Sequence, residues 1–368
     1  MIIRNGLVFQ EDGRYRKQDL YIENRRIVSS RREVKDAEEI NAEGLKIIPG
    51  LIDIHSHGAA GHDVSEGSTE GLKKILRYQK AHGVTSYCPT SMTLPFGKLL
   101  QVMESVNMVE ESEDQAVIAG IHMEGPFLDP EKKGSHMEEC IVPPDVSFFR
   151  ECNEACGGKI RLVTLAPNME GAWEFLDKLK DKTVISLGHT TADYETAKKA
   201  FEKGVFHVTH LYNAMAPFSH RAPGLVGAAF DSPKVMVELI GDGVHVHPSV
   251  VRSTFAMFGK DRVVLISDSI MAAGMRDGVY RLGGQRVTVR GQKAVLDDGT
   301  IAGSAVDLFT CVKRTIQAGV EEGDAILAAT ANPARSIGIF DRVGSITPGK
   351  KADLLLVDQE LNLLQVIS

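Results

Sequence analysis

Between residues 49 and 341, short apolar runs alternate with amphipathic stretches, and this rhythm constrains the fold more than any other feature of the chain. The runs are PGLIDIH, VTSYCPTS, AVIAGIHMEGP, KIRLVTLAP, TVISLGHTT, VFHVTHLYN, VMVELIGDGVHV and RVVLISDS. Most of the segments between them, such as TEGLKKILRYQKAHG and ADYETAKKAFEKG, carry apolar residues at helical spacing. Strand followed by helix, repeated, predicts a parallel sheet with covering helices. About eight runs, with no G-x-G-x-x-G after any strand, favour a closed (β/α)8, TIM-like barrel over an open doubly wound sheet. A Gly-rich, β-like insertion is expected at roughly 277–303, followed by helices over 305–318 and 323–337.

The two ends are written differently. IIRNGLVF with RKQDLYIENRRIVSS, and GSITPGKKADLLLVDQELNLLQVI at the other terminus, alternate apolar and polar residues around turns. We expect one small sheet assembled from both ends, so that residues 1–48 plus 342–368 form a small domain and 49–341 the barrel.

Composition excludes several functions. A net charge of −7 argues against a general nucleic-acid binder, which would show a basic face. It allows a small anionic substrate, because a few local cations can dominate a pocket. The five cysteines include no Cys-x-x-Cys pair and read as reduced thiols of a cytoplasmic protein. Cys152 and Cys156, four apart on an expected helix, suit packing rather than metal. No signal peptide opens the chain and no apolar run approaches the length of a membrane span.

In a parallel barrel, chemistry gathers at the C-terminal ends of the strands. There the first run ends on His55 and His57, the third on Glu124, the fifth on His189, the sixth on His210 and the last on Asp268. All are metal-ligating types. Side chains alternate along a strand, so His55 and His57 share a face. His207 and His210, three apart, cannot both face inward on a regular strand. We take His210 as the ligand because it borders LYNAMAPFSHR, and His207 as packing or outward. His122 shares parity with Glu124 one layer deeper, where a hydrogen-bonded core role competes with ligation. His62, His82 and His220 read as surface or loop residues.

A lone strand-end histidine is more often structural than a ligand, and a second H-x-H at His245 and His247 shows how weak that pattern is alone. The weight lies in the set. Imidazoles on three strands with a carboxylate on a fourth suit Zn²⁺ or Fe²⁺. Without a cation, buried Glu124 and Asp268 would repel each other.

PGLIDIHSHG resembles the entry signature of the amidohydrolase superfamily, metal-dependent hydrolases on a distorted barrel. Many members bridge two metals with a carboxylated lysine on the fourth strand, whereas this run reads RLVTLAPN, which leaves Glu124 to bridge. HMEGPF, KKGSH, SLGHT, THLYNAM, GDGVH, SDSIMAAG and GTIAGS, in that order, are similar to the N-acetylglucosamine-6-phosphate deacetylase branch. The β-rich ends match that branch's small β-sandwich domain. The resemblance implies Glu124, His189 and His210 as ligands of one divalent ion. His55 and His57, with Asp268 in reach, would serve a second, so one or two ions are open. It implies Asp268 as general base and acid, His136 as oxyanion stabiliser, and hydrolysis of the acetamide of a phosphorylated amino sugar. Ser135, Asn213, Ala214, Arg221, Asp242, His245, Ile301, Ala302 and Gly303 would contact that sugar, with Arg221 reaching across a homodimer interface. Rival readings are the galactosamine epimer as substrate, a cyclic-amide hydrolase, an adenine deaminase, or a non-catalytic scaffold on the same barrel.

Overall fold

The computed structural model describes residues 1–35 and 38–368. Eight parallel strands follow the expected runs: β1 (Leu51–Ser56), β2 (Val84–Ser91), β3 (Ile121–Glu124), β4 (Ile160–Leu165), β5 (Val184–Leu187), β6 (His207–Val208), β7 (Met236–Ile240) and β8 (Val263–Ile266). Each pairs with the next in sequence order. The ring closes between β8 and β1, where the backbone N–H of Asp268 donates to His55 O at 2.9 Å. Just below, the buried Asp53 carboxylate accepts the Ser267 hydroxyl at 2.5 Å, a second stitch across the same seam. The result is the (β/α)8 barrel that the alternation predicts.

The covering helices begin where the sequence supplies caps. Ser68 accepts from Gly71 N–H at the start of α1 (Thr69–Ala81), and Asp193 from Thr196 N–H ahead of Tyr194–Glu202. Leu72, Ile75 and Leu76 of α1 enter the main apolar cluster with Leu99, Phe127, Phe175 and Leu265. Burying a side chain of this kind contributes about 1.5–3 kcal/mol, which outweighs helix propensity as the cause of the helix.

The helix expected over 323–337 is instead two, Glu322–Ala329 and Ala331–Ser336. Pro333 has no N–H to return to Ala329 O, so a continuous helix would lose that bond and clash. The chain breaks at Thr330 (φ −133°, ψ −80°), whose hydroxyl donates to Ile326 O at 2.7 Å. The Gly-rich insertion is an antiparallel meander of four strands, Gly278–Leu282, Gln285–Arg290, Lys293–Val295 and Ile301–Ser304.

Both termini enter one separate sheet. Lys46–Pro49 pairs antiparallel with Leu354–Val357 and parallel with Ile2–Phe9. The sheet branches on Ile2–Phe9, whose first residues also pair with Glu39–Asn41. Its own core includes Ile3, Val8, Leu20, Ile22, Ile47, Leu354 and Leu356. Lys46–Pro49 leads within two residues into β1, so the position of this sheet sets where the first barrel strand starts.

Candidate metal centre and active site

Glu124, the last residue of β3, stands at the middle of the barrel mouth and is almost wholly buried. Its two carboxylate oxygens face different partners. Oε2 lies 3.4 Å from His55 Nε2, 3.2 Å from His57 Nε2 and 3.3 Å from His136 Nε2. Oε1 lies 3.2 Å from His189 Nε2 and 3.0 Å from His210 Nε2. Asp268 Oδ1 completes the first group, 3.2 Å from His57 Nε2 and 3.7 Å from His55 Nε2. All six residues that the strand-end reasoning singled out therefore converge.

Four of these side chains, His57, His189, His210 and Asp268, follow strands that have already ended. His189, His210 and Asp268 adopt left-handed backbone, with φ of 47°, 26° and 48°. Such conformations cost on the order of 1–3 kcal/mol each in non-glycine residues and persist where the surroundings dictate them. They also explain how His207, which takes the packing role, and His210 can both come inside. β6 is only His207–Val208, so the alternation stops before His210, and His207 and His210 are both buried in the barrel. His207 packs inward beneath the site, with Nδ1 2.9 Å from Ser186 Oγ. His122 takes the core role: Nδ1 donates to Ile54 O at 3.1 Å and Nε2 meets Thr164 Oγ1 at 2.7 Å.

Neighbours fix the tautomers. Carbonyl oxygens only accept, so His57 Nδ1, 3.2 Å from Thr90 O, and His189 Nδ1, 2.7 Å from Lys132 O, carry protons. His55 Nδ1 donates to the Glu238 carboxylate at 2.8 Å. In their neutral forms these three rings turn Nε2 lone pairs toward carboxylate oxygens. His55 Nε2 has no hydrogen-bond partner. Acceptors facing acceptors at such distances require positive charge between them. Donor atoms bound to one tetrahedral ion at about 2.0–2.2 Å stand roughly 3.3–3.6 Å apart, close to the separations here. The donor chemistry thus fits a divalent cation.

His136 is the exception. Thr93 N–H donates to its Nδ1 at 3.1 Å, so Nδ1 accepts and Nε2 carries the proton. Its ring offers the cleft a hydrogen-bond donor, where the others offer lone pairs.

The electrostatics show how strongly the carboxylates pull positive charge, proton or cation, into this space. Burial would raise Glu124, but the imidazoles of His55 and His136 outweigh it and hold the carboxylate well below its usual range. Burial likewise opposes ionisation of Asp268, yet His57 and His55 bring it down to about 2. Burial opposes charge on His57 too, while Asp268 and Glu124 prevail and lift it to about 9. At His189 burial wins, pushing the ring down to about 4 and leaving it neutral.

The cleft in front of these groups holds about 280 Å³. Of the residues expected to contact the sugar, Ser135, Asn213, Ala214, His245, Ile301 and Gly303 line it. Gly303 must be glycine: its φ is +61°, and a Cβ would lie 2.8 Å from Asp268 O. Three expected contacts lie elsewhere. Asp242 is buried behind His245, accepting from its Nδ1 at 2.7 Å, and so positions that ring rather than facing the cleft. Ala302, on the strand that carries Ile301 and Gly303 to the cleft wall, turns its methyl into the core. Arg221 is exposed on the loop after Asn213 and does not line the cleft of its own chain. Lys132, which does line it, was missed. So was Glu238, a lone acid inside the apolar run VMVELI.

Comparison with known proteins now bears on this geometry. The amidohydrolase family profile matches residues 47–367. The chain belongs to the amidohydrolase family. Among curated family members it is 36% identical to N-acetylglucosamine-6-phosphate deacetylase of Bacillus subtilis, covering all of this chain and 92% of that one. It is 33% identical to N-acetylgalactosamine-6-phosphate deacetylase of Escherichia coli O157:H7, over 87% of this chain and 85% of the relative. Among solved amidohydrolases, a mutant N-acetyl-D-glucosamine-6-phosphate deacetylase of Mycobacterium smegmatis, in complex with N-acetyl-D-glucosamine-6-phosphate, superposes with a TM-score of 0.92 at 30% identity. That match covers 100% of this chain and 97% of the neighbour. Among the described residues, no helix is long and apolar enough to cross a membrane.

Proposed function

We propose that this amidohydrolase deacetylates N-acetyl-D-glucosamine 6-phosphate, releasing acetate and D-glucosamine 6-phosphate. The observation that carries the reading is the convergence on Glu124: the Nε2 atoms of His55, His57, His189 and His210 around its two oxygens, with the Nε2–H of His136 beside them. Full-length likeness to N-acetylglucosamine-6-phosphate deacetylases supports the substrate.

Glu124, His189 and His210 would hold one divalent ion, and His55, His57 and Asp268 would hold a second where two are bound. Zn²⁺ and Fe²⁺ suit these nitrogen and oxygen donors. When bound, such an ion supplies a Lewis acid that polarises the acetamide carbonyl and acidifies water. Asp268 Oδ1 takes a proton from the attacking water and returns it to the departing amine as the C–N bond breaks. His136 donates its Nε2–H to the carbonyl oxygen as that oxygen gains charge.

His245 binds the anionic end of the sugar. Burial would lower its pKa, but Asp242 beneath it prevails and raises it, favouring an imidazolium with Nε2–H toward the cleft. The Asn213–Ala214 segment and Ser135 line the same space, and Arg221 reaches it from the neighbouring subunit of a dimer, where its planar fork suits a phosphate. We place the enzyme in the cytoplasm and divide the chain into a small domain of 1–48 plus 342–368 and a barrel of 49–341.

Likeness to the Escherichia coli N-acetylgalactosamine-6-phosphate deacetylase favours a second reading, the C4 epimer as substrate. Acetate release from both phosphorylated sugars and from unphosphorylated N-acetylglucosamine tests the proposal. Highest kcat/KM with the 6-phosphorylated gluco epimer is expected. No release from either phosphorylated sugar by zinc-loaded protein would overturn it.

A further inference from the structure

Glu238 is a fully buried carboxylate that the proposed reaction never touches. It sits in the middle of β7, where every other residue is apolar. Its Oε2 takes the proton of His55 Nδ1 at 2.8 Å and also accepts the backbone N–H of His210 at 3.2 Å. That one oxygen therefore ties together the two halves of the centre, because His55 faces Oε2 of Glu124 and His210 faces Oε1. The backbone carbonyl of Glu238 adds a third hold, accepting from Leu211 N–H at 2.8 Å.

The other carboxylate oxygen has no hydrogen-bond partner, and the Nδ1 of His207 stands 4.0 Å from it. A half-satisfied charge in a barrel interior is a poor way to stabilise a fold, since well-packed apolar residues generally do as well or better. The charge is accounted for by what it does to its neighbours. A carboxylate behind an imidazole fixes which nitrogen carries the proton, orients the ring and makes the far nitrogen a stronger donor. The backbone bond to His210 holds a residue whose φ of 26° lies outside the ordinary regions.

We infer that Glu238 is a positioning residue of the metal centre, acting through His55 and, more weakly, through the backbone of His210. This rests on the reading of the cleft as a divalent-cation site. It separates Glu238 from the six residues that face the ion and from the neutral hydroxyls and rings packed deeper in the barrel.

The test is zinc affinity, measured on full-length protein against a competing chelator. Wild type is compared with Glu238→Leu, Glu238→Gln, His55→Ala and the double variant H55A/E238L. We expect Glu238→Leu to weaken zinc binding about 10–100-fold. Glu238→Gln, which keeps an acceptor oxygen for both donors, should recover part of that loss. The double variant should bind only slightly more weakly than His55→Ala alone, the small remainder being the hold on His210. Wild-type affinity in Glu238→Leu, or losses that add in the double variant, overturns the inference. Should Glu238→Leu not fold, Glu238→Gln with and without His55→Ala decides in the same way. Failure of the wild-type protein to bind zinc overturns the metal reading, and this inference with it. Tight wild-type binding with unperturbed variants overturns this inference alone.

Discussion

Two polar layers lie one above the other in this barrel, built from similar residues, and they differ in what their polar atoms face. In the lower layer the protons run along a single chain that leaves only His207 Nε2 without a partner. His207 Nδ1 donates to Ser186, Ser186 to Thr209, Thr209 to Thr164 and Thr164 to His122 Nε2, over 2.6–2.9 Å steps. His122 Nδ1 then ends the chain on Ile54 O. Burial holds His122 down at about 3, so the layer is neutral. In the upper layer, the Nε2 atoms of His55, His57 and His189 crowd the oxygens of Glu124 and Asp268, and those carboxylates pull positive charge in between them. A neutral hydrogen-bonded chain is a core, and a ring of imidazoles around carboxylates suits a cation. Histidine count alone does not distinguish them.

Substitutions in the two layers should therefore fail differently. The largest effect falls on the upper layer: Asp268→Asn keeps the shape but cannot accept a proton, and kcat should fall about 10²–10⁴-fold. Metal content, measured by atomic emission on the same preparation, should remain near wild type. An unchanged rate would remove Asp268 as proton carrier. His136→Ala should lower kcat about 10²–10³-fold with little change in KM, because its donor matters most when the carbonyl oxygen becomes charged. A change confined to KM would make His136 a ground-state contact only. Smallest for activity is Thr164→Val in the lower layer. It strands His122 Nε2 and the Thr209 hydroxyl and should cost about 1–3 kcal/mol in urea denaturation, leaving kcat/KM nearly untouched. Loss of activity without loss of stability there would erase the distinction between the layers.

The sequence made the upper layer legible because its residues stop apolar runs. His55 and Glu124 obey the strand-end rule directly, and His57 comes one residue past its strand. His189, His210 and Asp268 obey it one step later, on left-handed residues, which lets His207 and His210 both come inside. Glu238 escaped notice because a strand buried on both faces offers no polar alternation, so a lone acid within it carries no positional rule. Asp242 was recognised as part of the site but given the wrong neighbour: GDGVH compresses an acid and the histidine it orients into one motif, and only the fold tells which faces the cleft. Arg221 shares the loop that follows Asn213 yet stays outside the cleft of its own chain, which its place in the sequence does not reveal. In the fold, alternation and capping residues fixed the barrel, while the break at Thr330 turned on one missing N–H at Pro333.

Anomalous diffraction at the zinc edge, from crystals of protein grown with zinc, tests the central claim most directly. We predict a peak at the barrel mouth within about 2.0–2.2 Å of Glu124 Oε1 and of the Nε2 atoms of His189 and His210. A zinc-saturated crystal with no anomalous density among these residues, and their side chains still converged, would contradict the account.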